Sequence, residues 1–85
     1  MEKKDFTIKN RYGMEHNFIH ENDNIYIFKP LYNYCRLIGN SLNKNEYDGV
    51  DPDGGPFIVV GCHMPNGLTV KRIYGENNEI KMELD

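Results

Sequence analysis

Three places in this chain put an arginine within two positions of a tyrosine: Arg11-Tyr12, Tyr34-Cys-Arg36 and Arg72-Ile-Tyr74. Tyrosine offers a flat stacking face and a hydroxyl, and arginine offers a planar fork for a carboxylate or phosphate. In the last two pairs the residues stand two apart, so on a strand they share one face. Lys71 adds a further positive charge beside the third pair. Such faces suit a protein partner, or a nucleobase carrying a few phosphates. The same tyrosines would equally serve as half-buried rim residues whose hydroxyls find backbone acceptors.

The loop Asp48-Gly-Val-Asp-Pro-Asp-Gly-Gly-Pro56 invites two further chemistries. As a calcium loop it lacks a third carboxylate at the right step and a closing glutamate. As a phosphate loop its glycine N–H groups could form an anion nest, but no Gly-Lys-Ser/Thr follows. Asp51 and Asp53 would each oppose a phosphate by about 1 kcal/mol even in water. The pattern therefore reads as a structural turn, with Asp51 and Asp53 bonding nearby backbone N–H groups or a partner.

His16 and His20 lie four apart, with Glu21 adjacent, and His63 follows Cys62. Zinc needs three or four converging nitrogen or sulfur ligands. Strand residues four apart stand about 13 Å from one another, too far to share an ion without a bend. Cys62 and His63 are consecutive, so a strand would turn them to opposite sides and separate a nucleophile from its base. No catalytic set and no cofactor is expected.

Composition narrows the classes further. The chain has 85 residues, enough for one domain, with a core large enough for only marginal stability; self-association would relieve that pressure. A net charge of −3 argues against binding long nucleic acid, which needs a dense positive surface. No apolar run approaches a membrane span, and Met-Glu-Lys-Lys-Asp opens no secretory signal. The expectation is a cytoplasmic protein whose Cys35 and Cys62 are reduced and buried.

The elements that must hold these residues are short strands. Asp51 to Ile73 organises the chain, because Phe57-Ile-Val-Val60 is its only continuous apolar run and turn signals flank it at Asp53-Gly-Gly-Pro56 and Met64-Pro-Asn-Gly67. Four apolar residues without alternation predict a central strand covered on both faces, with Leu68–Tyr74 returning as its partner. Phe6–Lys9 and Ile25–Phe28 read as strands, Met14–His20 as an irregular extended segment, and Tyr32–Gly39 contains another strand. Turns are expected at 10–13, 21–24 and 75–78. Asn40–Gly49 reads as a loop with a 3₁₀ turn. Glu79–Asp85 alternates cleanly, with Ile80, Met82 and Leu84 inward and the other face wet. The sum is an all-β domain, a small SH3-like or related strongly bent barrel of five to seven antiparallel strands.

Asp51-Pro-Asp-Gly-Gly-Pro-Phe-Ile-Val-Val-Gly61 followed by Gly67-Leu-Thr-Val-Lys-Arg-Ile73 resembles a D-P-x-G-G-P-x-I-x-V-G … G-x-x-V-K-x-I pattern in small uncharacterised proteins of tailed bacteriophages. The resemblance covers residues 51–73 and implies a phage origin. Eleven asparagines with no alanine and no glutamine point the same way, to an AT-rich coding source. Small phage accessory proteins commonly act by occupancy, which implies a binding module that blocks a host protein or sequesters a small anionic ligand such as a nucleotide. The second mechanism would gather Arg36, Arg72 and Tyr34 in a pocket between subunits. Two other readings stand beside it: a structural or assembly component that self-associates as a homo-oligomer, and a small metal-dependent hydrolase using His16, His20 and His63.

Overall fold

Alternation of apolar and polar residues, interrupted by Asn, Asp and Gly turns, produces one antiparallel sheet. The computed structural model describes residues 4–10, 12–13, 15–30, 35–39, 45–52 and 57–85. Arg11, Met14, Tyr32, Tyr34, Asp53 and the Gly54-Gly55 pair, all singled out above, lie outside the described residues. The strands are β1 (Phe6–Lys9), β2 (Glu15–Asn22), β3 (Ile25–Lys29), β4 (Arg36–Gly39), β5 (Glu46–Asp51), β6 (Ile58–Val59), β7 (Val70–Glu76) and β8 (Glu79–Leu84). They lie in the order β1-β2-β3-β8-β7-β5-β4, and β6 pairs with β5. The all-β, strongly bent architecture expected from the sequence is present, with eight strands, counting the two-residue β6. Among the described residues there is no helix, and none is long and apolar enough to cross a membrane.

The inner face of the curled sheet is the core. Phe18, Tyr26, Val50, Val70, Ile73, Met82 and Leu84 are fully buried there, joined by Phe28, Ile58 and Met64. They arrive by register: Phe18 faces Phe28, Tyr26 faces Met82, and Ile73 faces Met82 from the other side. Phe6 of β1 stacks on Phe18 with centroids 4.6 Å apart and meets the edge of Tyr26 at 5.5 Å. Burying an aromatic or aliphatic side chain of this kind contributes about 1.5 to 3 kcal/mol, offset by chain entropy.

Several local expectations are corrected. Phe57–Val60 is not a doubly covered central strand: only Ile58 is buried, while Phe57, Val59 and Val60 remain exposed, because β6 is two residues long and pairs only with β5. The Met64–Gly67 turn does form, with Gly67 N–H donating to the Met64 carbonyl at 2.9 Å and Gly67 at φ +86°. The chain then meets its return through a single bridge, His63 to Thr69, and β7 takes β8 and β5 as its ladder partners. Residues 46–51, expected in a loop, form β5, which a bulge bends opposite Ile38 and Gly39. From Glu15 the extended segment forms β2, which runs to Asn22 with a bulge between His20 and Asn22 and narrows the turn to Asp23-Asn24. β7 likewise runs to Glu76, and Asn77 and Asn78 both take positive φ, 53° and 63°, as a tight two-residue hairpin turn requires. Asp51 lies in β5 and is buried, not in an open turn.

Candidate functional site

Side chains of period two must alternate across a strand, so the residues between the core positions form the outer face. Register carries one rung across five strands there: Ile19 (β2) faces Ile27 (β3), which faces Lys81 (β8), then Tyr74 (β7), then Glu46 (β5). A neighbouring rung holds Ile25, Glu83 and Arg72. Arg72 lies with Cζ 4.2 Å from the Tyr74 ring centroid, and its Nε is 3.3 Å from Glu46 Oε1. The pairing of Arg72 with Tyr74 anticipated from the sequence is thus formed. A stacked, partly desolvated guanidinium contributes roughly 0.5 to 2 kcal/mol. Lys71 is exposed beside this pair, where a bulge interrupts the β7–β8 register.

Lys81 is the residue that alternation misplaced. It should be wet, yet its side chain is only 5% exposed. Its ammonium donates to Glu76 Oε1 at 2.8 Å and lies 2.9 Å from Glu21 Oε2. The hydrogen bonds to Glu76 and then Glu21 push its pKa well above the ordinary lysine value. Glu21 is 60 positions away in sequence, so no local signal could have revealed the contact. Glu46 was missed for the same reason.

The second arginine site stands elsewhere. Arg36 (β4) faces Asp51 (β5), with Nη2 3.6 Å from Oδ2, and its Cζ lies 5.6 Å from the Phe57 ring. Asp51 is buried, and its Oδ1 has no hydrogen-bond partner among the described residues. Five residue steps along β5 separate Asp51 from Glu46, about 16 Å. Within one chain, Arg36 and Arg72 therefore do not share a pocket. Two clefts, about 620 and 390 Å³, flank the β7–β8 turn and share Asn78, Glu79 and Ile80; among the described residues neither is lined by an arginine. Tyr12 sits apart again, exposed in the β1–β2 turn, its N–H donating to Asn10 Oδ1 at 2.9 Å.

The histidines are dispersed. His16 is buried with its ring 6.0 Å from Phe28. His20 Nε2 donates to the Asp23 carbonyl at 2.8 Å, and His63 Nδ1 is hydrogen-bonded to Thr69 Oγ1 at 2.9 Å. Among the described residues no group of three His, Cys, Asp or Glu converges to hold a metal. Both cysteines are free and half-buried.

Four groups titrate late, and their sign is common. Burial pushes up the Tyr26 and Tyr74 hydroxyls, and burial followed by the Asp51 charge pushes up the Cys35 thiol; Lys81 is raised by its carboxylates. Each keeps its proton to higher pH folded than unfolded, so stability falls as pH rises. The fall should begin near the ordinary thiol value of 9.0 and steepen through 10.0 and 10.5 for the tyrosines and the lysine. Urea midpoints measured every half unit above about pH 8 should decline, and Tyr26→Phe and Tyr74→Phe should each remove phenolate absorbance from the latest part of the titration. A midpoint that climbs with pH contradicts the assignment.

Comparison of the chain with protein-family models, curated proteins and solved structures finds no match in any of the three.

Proposed function

We propose that this chain is a non-catalytic binding module, a phage accessory protein that acts in the bacterial cytoplasm by occupying a host protein of a defence system. Its contact is the outer face of β2, β3, β8, β7 and β5. The observation that supports this most is the state of the cations there. Arg72 is taken up by Glu46 and Tyr74, and Lys81 by Glu21 and Glu76. A phosphate would have to displace carboxylates from both, which disfavours a nucleotide as the ligand of this face. What the face offers outward is Tyr74 with Ile19, Ile25 and Ile27, all half-buried, among Glu21, Glu46, Glu76, Glu79 and Glu83. An aromatic and aliphatic centre with an acidic rim complements a protein surface that is apolar at its middle and basic at its edge.

A photo-crosslinking side chain at Lys71 should trap one bacterial protein that wild-type chain competes away and Tyr74→Ala chain does not. With that protein purified, Tyr74→Ala should weaken binding by about 30-fold, the effect of losing a central aromatic anchor. Added salt should slow association, as expected when opposite charges steer it. Capture indifferent to Tyr74→Ala would count against the face, and calorimetric heat with any nucleotide in a cyclic and linear panel would restore the sequestration reading.

A further inference from the structure

Four of the five large apolar residues that are exposed among the described residues, Leu37, Phe57, Val59 and Val60, belong to β4 or to the segment around β6. Three of these come from the one run whose lack of alternation calls for cover on both faces. The chain itself covers only Ile58. On the outer side of this corner, Ile38 and Val59 flank Gly49 by register, and Phe57 lies level with Asp51, beneath the Arg36 guanidinium. The result is a flat apolar strip across β4, β5 and β6. It is distinct from the Tyr74 face.

The charges at its two ends decide what can cover it. Arg36, 58% exposed, stands at one end, held to Asp51 only at 3.6 Å, longer than a hydrogen bond. Asp48, the extra residue of the β5 bulge, is exposed beside the other end, where its carbonyl accepts the Val60 N–H at 3.0 Å. A strip with a cation at one end and an anion at the other is complementary to itself when turned by half a revolution. We propose that the occupant is a second copy of this chain, docked about a twofold axis near Val59, with Arg36 of each copy against Asp48 of the other. This is the isologous geometry of a C2 dimer, in which one patch meets itself. Two exposed apolar side chains, Phe57 and Val59, with half-buried Ile38 and two ion pairs make a small interface, so the dissociation constant should fall in the tens of micromolar.

Sedimentation velocity from about 5 µM to 1 mM, a range that brackets such an affinity, tests it. The wild-type chain should pass from monomer to dimer. Phe57→Lys and Asp48→Lys alter exposed side chains and should keep the circular dichroism of the folded chain while weakening the dimer about 30-fold. Lys71→Glu, on β7 outside the β4–β5–β6 strip, should leave it unchanged. A monomer throughout the range, a species larger than a dimer, or a dimer unmoved by Phe57→Lys or Asp48→Lys would overturn the proposal. None of these outcomes bears on the Tyr74 face, whose test reads capture of a different protein.

Discussion

Phe18→Ala is expected to remove about 3 to 5 kcal/mol, the usual loss for truncating a fully buried aromatic ring. Phe18 has no exposed surface, Phe6 stacks on it nearly in plane at 9° and 4.6 Å, and Phe28 tilts against it at 5.0 Å. The ring of Phe6 would also lose its stacking partner, and with it part of what holds the edge strand β1, which reaches the sheet through β2. An 85-residue chain has roughly 4 to 13 kcal/mol in total, so the variant should be partly unfolded at room temperature or nearly so. Urea denaturation checks this, with the midpoint falling and the slope nearly constant. Phe57→Ala is the matched control. The same ring at an exposed position should move stability by no more than about 0.5 kcal/mol at concentrations where the chain is monomeric. Equal losses at the two positions would mean that the inner and outer faces have been exchanged.

That contrast shows where the sequence could be read and where it could not. β1 and β8 were legible because each alternates, a local consequence of one face meeting the core, and β3 because its short apolar run Ile25–Phe28 is closed by Lys29-Pro30. β5 was illegible for an equally physical reason. Its bulge shifts the alternation, so Tyr47 and Val50, both packed into or against the core, fall three apart and no period of two survives. Gly49 in its middle looks like a breaker. The Phe57–Val60 run failed in the opposite sense, since hydrophobicity reports that a surface wants cover but not which molecule supplies it. Among the site residues, the Arg72–Tyr74 pair needed only spacing, and it was found. Glu46 on Arg72 and Glu21 on Lys81 come from strands distant in sequence and no local pattern announces them, whereas Glu76 lies five positions before Lys81 across the β7–β8 hairpin.

Those carboxylates change what the arginine means. Read in sequence, Arg72 and Lys71 beside Tyr74 suggest affinity for an anion. With Glu46 3.3 Å from Arg72 and two glutamates on Lys81, the outer face is acidic in balance, and its cations serve to orient Tyr74 and hold the strands together.

Gly49→Ala and Gly39→Ala should move stability in opposite directions, although both replace a glycine in adjacent strands. Among the described residues, a Cβ at residue 39 would meet nothing within 4 Å. There alanine restricts the unfolded chain without a native cost, and a gain of about 0.4 to 1 kcal/mol is expected. A Cβ at residue 49 would lie 2.9 Å from Val59 Cγ1 and 3.1 Å from the Ile58 carbonyl oxygen. Val59 is β-branched and cannot swing aside freely, and the oxygen is backbone. The β6 segment must therefore lift, loosening Ile58 from the core, at a cost of about 1 to 3 kcal/mol. Thermal or urea midpoints of the two variants against wild type decide it, and a Gly49→Ala variant as stable as Gly39→Ala would show that β6 does not lie across β5. The same displacement tilts Val59 out of the strip between Ile38 and Phe57, so Gly49→Ala should also weaken self-association, whereas Gly39→Ala should not. A glycine here acts as a floor: its missing side chain lets an outer apolar residue lie flat, and that flatness makes the corner a surface another molecule can cover.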